Sequence, residues 1–287
     1  KYNLDKIPSN CELLLQGIKI KTKPMRTQSG VTVIALMTKP FDCPHGKCIY
    51  CPGGIESTFG DVPQSYTGHE PSSLRGKRLE YNPYLIVFNR LEQYVVNGHL
   101  PEKIEIIIQG GTFPSFPQKY KENFITYTFK ALNDFGKEFF SGNKLKINKF
   151  KKFFELPGEI GTEKRMRKIK EKILKLKGKS TLVKEQKRNE KAKIKCVALC
   201  IETRPDYSGK KEINEMLKLG ATRVELGVQN IDDKVLEYVK RGHKNADVKK
   251  ATKLLKNSIF KFGYHIMPGL PLTTEKEDIK MFKEIFS

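Results

Sequence analysis

Three cysteines, Cys43, Cys48 and Cys51, stand in the segment Lys39-Pro-Phe-Asp-Cys-Pro-His-Gly-Lys-Cys-Ile-Tyr-Cys-Pro-Gly-Gly54, at the spacing C-x4-C-x2-C. Three thiolates on one short loop can hold an iron–sulfur cluster and leave one iron open, whereas a closed structural site takes four ligands. An open iron is where a substrate or cosubstrate can bind and where one-electron chemistry can begin. The same thiols could instead belong to a zinc site completed by His45, or by Cys196 and Cys200. A disulfide framework fits less well. Six cysteines in 287 residues are no disulfide scaffold, and the N-terminal residues do not read as a signal peptide. Outside the loop, Cys196 and Cys200 read as buried packing residues, and Cys11 has no evident role.

The cysteine loop follows the apolar run 31–37. Four more β-branched runs, at 104–109, 197–202, 223–228 and 262–267, alternate with helical patterns at 72–97, 119–133, 210–219, 233–240, 247–257 and 274–286. That alternation implies an α/β fold with a parallel sheet and right-handed crossovers. In β/α barrels the chemistry gathers on loops at the C-terminal strand ends, and the unusual residues of this chain fall there. After the second strand come Gly110 and Gly111, which lack a Cβ and let a ligand lie against the backbone. The third runs into Glu202-Thr-Arg-Pro-Asp206. In extended chain Glu202, Arg204 and Asp206 point the same way; a carboxylate accepts from ribose hydroxyls and an Arg fork holds a carboxylate. The fourth and fifth lead to Gln229 and to His265 and Met267, expected at the same mouth. A histidine placed like His265 is more often a hydrogen-bonded core residue than a proton carrier.

A content of 38 % hydrophobic and 10 % aromatic residues is that of a globular protein, and the length suits one large domain of α/β barrel type. The net charge is +22, from 54 basic and 32 acidic residues. Such a field draws polyanions, nucleic acid first among them. The excess gathers in a basic N-terminal segment, 1–30, and in a longer stretch, 144–195. There Ile169, Ile173, Leu174 and Leu176 fall near helical spacing, so amphipathic basic helices are expected, touching phosphate rather than stacking on bases. No apolar run approaches membrane-spanning length, which points to a cytoplasmic protein without a membrane partner.

The cysteine loop resembles that of radical S-adenosylmethionine (SAM) enzymes. Further stretches narrow the likeness: Gln64-Ser-Tyr-Thr-Gly-His-Glu-Pro71, Gly110-Gly-Thr-Phe113, Ile201-Glu-Thr-Arg-Pro-Asp-Tyr207, Arg223-Val-Glu-Leu-Gly-Val-Gln229, Lys240-Arg-Gly-His243 and His265-Ile-Met-Pro-Gly-Leu-Pro271. Together they resemble the catalytic subunit of Elongator and its archaeal and bacterial stand-alone relatives, from Lys23 to the end of the chain. The short first cysteine gap looks archaeal.

The resemblance implies a partial (β/α)6 radical SAM barrel over residues 31–287, with a basic helical insertion at about 137–195. It implies an enzyme that uses a 4Fe–4S cluster, SAM and acetyl-CoA to install a carboxymethyl group at C5 of the wobble uridine in the tRNA anticodon stem-loop. In that family a 5′-deoxyadenosyl radical abstracts hydrogen from the acetyl methyl group, the carbon radical adds to uridine, and hydrolysis releases CoA. Carried over by motif, Cys43, Cys48 and Cys51 would ligate the cluster. Lys103, by itself only a basic residue at a strand start, matches a lysine assigned to acetyl-CoA. SAM offers the ribose and carboxylate handles named above, so Gly110, Gly111, Glu202 and Arg204 are its candidate contacts, with Gln229, His265 and Met267 beside them. Arg241 and His243 are candidates to meet phosphate or another ligand.

Two features depart from the family. An acetyltransferase-like domain and a sixth strand are expected beyond Ser287, so this chain reads as an incomplete catalyst, completed by that domain or by self-association. The basic insertion is longer than its eukaryotic counterpart. Two other readings stand beside the first: a non-catalytic tRNA-binding scaffold holding zinc, and a different radical SAM enzyme such as a methylthiotransferase or a wyosine-type synthase.

Overall fold

The computed structural model describes residues 8, 10–18, 20–158 and 162–286; the side chains of Cys11, Leu15 and Arg26 lie outside the description. Much of the basic N-terminal segment, residues 1–7 included, and the side chain of Cys11 therefore fall outside the described residues.

All five apolar runs form strands. The chain builds β1 (Val31–Met37), β2 (Lys103–Gln109), a short antiparallel pair β3 (Phe140–Ser141) and β4 (Lys144–Leu145), then β5 (Lys195–Thr203), β6 (Arg223–Gln229) and β7 (Lys261–Ile266). The long strands make one sheet in the order β1-β2-β5-β6-β7, and β5, β6 and β7 pair in parallel. The helices are α1 (Asn10–Leu15), α2 (Pro71–Arg78), α3 (Pro83–Val96), α4 (Gln118–Phe139), α5 (Ile147–Phe153), α6 (Glu163–Lys177), α7 (Leu182–Asn189), α8 (Lys210–Leu219), α9 (Asp233–Tyr238), α10 (Asn245–Asn257) and α11 (Glu275–Ile285).

The helix expected over 72–97 is two helices. Pro83 has no N–H to continue the first and disfavours a helical Asn82 before it. Asn82 is instead extended and caps α3, its side chain accepting from the Tyr84 amide at 3.1 Å. Conversely, α4 outruns its expected end at Asn133, because Phe135 and Phe139 prolong its buried stripe at helical spacing.

The chain divides into two compact units. Unit 1, residues 1–34, 82–105 and 123–197, holds α3, α5, α6, α7 and most of α4. Its core is aromatic: Phe88, Phe135, Phe139, Phe150 and Phe154 are buried, with Phe135–Phe139 and Phe150–Phe154 ring centroids 4.8 and 4.7 Å apart. Each such ring contributes about 1.5–3 kcal/mol through burial. In α6 Ile169 and Ile173 are buried one turn apart, as their spacing requires, whereas Leu174 is exposed.

Unit 2, residues 35–81, 106–122 and 198–287, holds β6, β7 and the C-terminal parts of β1, β2 and β5. Ile106 and Ile108 on β2 and Val224, Leu226 and Val228 on β6 are fully buried. Local chemistry fixes its helix ends. Gly220 takes the left-handed conformation (φ 88°) that closes α8, and Thr274 with Glu277 forms a capping box at the start of α11.

Candidate functional site

The loop after β1 carries Cys43, half-buried, and Cys48 and Cys51, both buried; all three are free thiols. His45 lies between two of them, Nδ1 3.0 Å from the Cys43 sulfur and Nε2 3.1 Å from that of Cys48. One imidazole cannot turn both nitrogens to a single ion, and among the described residues no three His, Cys, Asp or Glu side chains gather about one point. Burial and the charges of Arg204 and Arg241 lower the His45 pKa to about 4, so its ring is neutral. Cys51 accepts from Gln64 Nε2 at 3.0 Å, and Cys48 from Arg241 Nη1 at 3.7 Å. An amide and a guanidinium are thus aimed at sulfur, and hydrogen bonds to sulfur are a feature of iron–sulfur sites. The donor set thus fits a cluster held by three cysteines.

Cys43 also lines a pocket of about 250 Å³ within unit 2, with Gln64, Tyr66, Gly111, Glu202, Arg204 and Gln229 among its walls. Period-2 alternation along β6 sets Glu225, Gly227 and Gln229 in that lining. The register pairs Glu202 of β5 with Glu225 of β6. Glu202 accepts from Tyr66 Oη at 3.4 Å and from Gln109 Nε2 at 3.5 Å. Burial pushes its pKa up to about 7, and the neighbouring charge of Glu225 adds to the shift against those two hydrogen bonds.

Several expected site residues sit elsewhere or act otherwise. Asp206 does not extend the strand: β5 ends at Thr203 and 205–207 is a 3-10 turn. That turn folds Asp206 back onto Arg204, whose Nε and Nη2 donate to it at 2.9 and 2.8 Å, while Nη1 donates to the Arg241 carbonyl at 2.8 Å. The Arg204 fork is already filled.

Gly110 is buried outside the pocket lining. Its φ is 119°, and a Cβ there would stand 2.2 Å from Thr38 Oγ1, so its absent side chain makes room for the chain after β1 rather than for a ligand. Met267 packs with Tyr50 on the buried cluster Val235, Val239 and Leu270, not in the pocket. Lys103 is exposed at the start of β2, in unit 1, and is not among the pocket residues. His265 is no core residue; half-exposed, it lines the pocket with Nε2 3.6 Å from Glu225. Cys200 is buried as expected, whereas Cys196 is only half-buried.

Arg241 is one of the residues that the sequence offered for phosphate or another ligand. It lines the pocket at 8 % exposure, donates to the Gly227 carbonyl and to Cys48, and keeps a buried Nε with no partner. Both ring nitrogens of buried His243 are also unpartnered, and burial beside Arg241 lowers its pKa to about 4. Gln64 and Tyr66 were missed, although both lie in a motif that carries the resemblance.

A parallel sheet with a three-cysteine loop after its first strand, opening beside a polar pocket at the strand ends, is the arrangement of the radical SAM superfamily. The profile of that superfamily matches residues 39–285, and the chain belongs to it. The superfamily implies a 4Fe–4S cluster and SAM. Within it, the chain is 47 % identical over 288 residues to the tRNA uridine(34) acetyltransferase of Methanocaldococcus jannaschii, covering 97 % of this chain and 46 % of that protein. It is 37 % identical over 273 residues to Elongator complex protein 3 of Saccharomyces cerevisiae, covering 93 % and 42 %. The solved structure of the archaeal Methanocaldococcus infernus Elp3 with an N-terminal deletion matches with a TM-score of 0.62 at 38 % identity, over 90 % of this chain and 42 % of that one. The chain therefore spans less than half the length of these relatives. Among the described residues no helix is long and apolar enough to cross a membrane.

Proposed function

We propose that the chain is the radical SAM portion of an enzyme that uses acetyl-CoA to place a carboxymethyl group at C5 of the wobble uridine of tRNA. The observation that carries this reading is the convergence of Cys43, Glu202, Gln229 and Arg241 on one pocket, in a chain whose relatives bear tRNA uridine acetyltransferase names.

Cys43, Cys48 and Cys51 would hold the cluster, which when bound would supply the electron for cleavage of SAM to methionine and a carbon radical. The chain's own residues then bind, orient and shield. Ionised Glu202 accepts from ribose hydroxyls, and Gly111 lets the ligand approach the backbone. Arg241, rather than Arg204, offers a guanidinium to the carboxylate of SAM, because its Nε lacks a partner. Gln229 adds an amide, and His265 at the rim is the candidate to hold or move a proton. Lys103 is assigned to acetyl-CoA on the family resemblance alone. The substrate base would enter splayed from the anticodon loop, as single-stranded RNA bases do.

Nucleoside mass analysis of tRNA from a strain lacking the gene tests this. Loss of C5-carboxymethyl-type uridines supports the proposal; intact uridines with loss of a thiolated purine would contradict it.

A further inference from the structure

The pocket leaves the charge of the chain unexplained. Residues 137–195 hold 21 basic and 7 acidic residues, a net +14 (21 − 7) of the +22 total. In unit 1 the last turn of α5, residues 155–158, Thr162 and the first turns of α6 border a groove of about 460 Å³. Its wall carries Lys151, Lys152, Lys164, Arg165 and Lys168. Among the described lining residues Glu155 is the sole carboxylate, and Lys172 holds it. The hydrogen bond and charge of Lys172, with Lys168 and Arg165 beyond, keep that carboxyl below its usual range and ionised.

The frame under these charges is fixed. Phe150 and Phe154 anchor α5 in the aromatic core. Arg165 ties α6 to α3 through Glu92 at 2.8 Å, and to the Phe154 carbonyl at 2.7 Å. Lys164 and Lys168, one helical turn apart, stand exposed, whereas Ile169 and Ile173 are buried. Among the described lining residues none is aromatic, so they offer a purine no stacking surface. That disfavours a nucleotide or coenzyme and suits a repeating phosphate.

We propose that this groove is a second anion site that seats the phosphodiester backbone of the RNA substrate without reading its sequence. The inference rests on the reading of tRNA as substrate and adds a place where its backbone is held. The test is tRNA binding by the full 287-residue chain, followed by fluorescence anisotropy across a salt series. It compares wild type with the triple variant Lys152→Gln, Lys164→Gln, Lys168→Gln, and with a control triple variant Lys276→Gln, Lys280→Gln, Lys283→Gln on α11. All six positions are exposed, so the fold should survive.

The groove variant should lose at least tenfold in tRNA affinity at low salt, with the slope of log K against log salt falling by about 2–3. The control should match wild type or lose far less. A groove variant that binds like wild type would remove the groove while leaving the proposed function standing; equal losses in both variants would do the same, by showing diffuse charge. A wild-type chain without salt-dependent affinity for tRNA would overturn the groove and the tRNA reading together. Coenzyme A binding that disappears in the groove variant while tRNA binding persists would reassign the site to a small molecule.

Discussion

At the scale of single residues, Glu202, half-buried, and Arg241, buried, are the two charged groups on which the pocket reading turns. Glu202 ionises near pH 7 in the folded protein, against 4.5 for the unperturbed group. The unfolded chain therefore gives up this proton first, and ionisation weakens the fold progressively as pH rises from about 4.5 to 7. Glu202→Gln should raise the melting temperature of the apo protein at pH 8 and leave it nearly unchanged at pH 4; a lower melting temperature at both values would contradict the assignment. Arg241 keeps a buried donor, Nε, without a partner. Because hydrogen bonds to charged groups are worth about 1.5–3 kcal/mol, Arg241→Lys should weaken SAM binding by roughly tenfold or more in calorimetric titration, with circular dichroism unchanged. Unaltered affinity would return the role to another cation. His45 separates the cluster from zinc: His45→Ala should keep its iron after anaerobic reconstitution, whereas a zinc site using the imidazole would lose metal.

At the scale of elements, the strands were legible because each is a local run of β-branched residues, and α8 because Gly209 and Gly220 bracket its apolar stripe. Ser72 to Asn97 misled because the apolar pattern continues across Pro83, and a backbone constraint outweighs periodicity there. The role of Arg204 could not be read, since it depends on the turn that brings Asp206 back and on the carbonyl of Arg241, 37 residues away. On β6 Gln229 was read, and Glu225 and Gly227 could have been, since all three alternate along the strand. Gly110, expected to face SAM, instead approaches Thr38. Gly110→Ala, with φ near 119° and a Cβ 2.2 Å from Thr38 Oγ1, should destabilise the protein by about 1–3 kcal/mol in urea unfolding. Thr38→Ala in the same chain should recover part of that loss; no loss in the single variant would refute the close approach.

At the scale of the whole molecule, charge and motif order pointed to a polyanion partner and a radical SAM fold, and the superfamily assignment bears out the second. The division into two units was not legible, because each is assembled from segments far apart in sequence. The chain is less than half of its relatives' length, so the chemistry most directly within its own reach is cluster and SAM binding. The decisive measurement is electron paramagnetic resonance of the anaerobically reconstituted, dithionite-reduced protein, with and without SAM. A reduced 4Fe–4S signal that shifts when SAM is added, and that is lost on Cys43→Ala, is the expected result. Absence of a cluster, with one tightly held zinc in its place, would contradict it and leave the chain an RNA-binding scaffold.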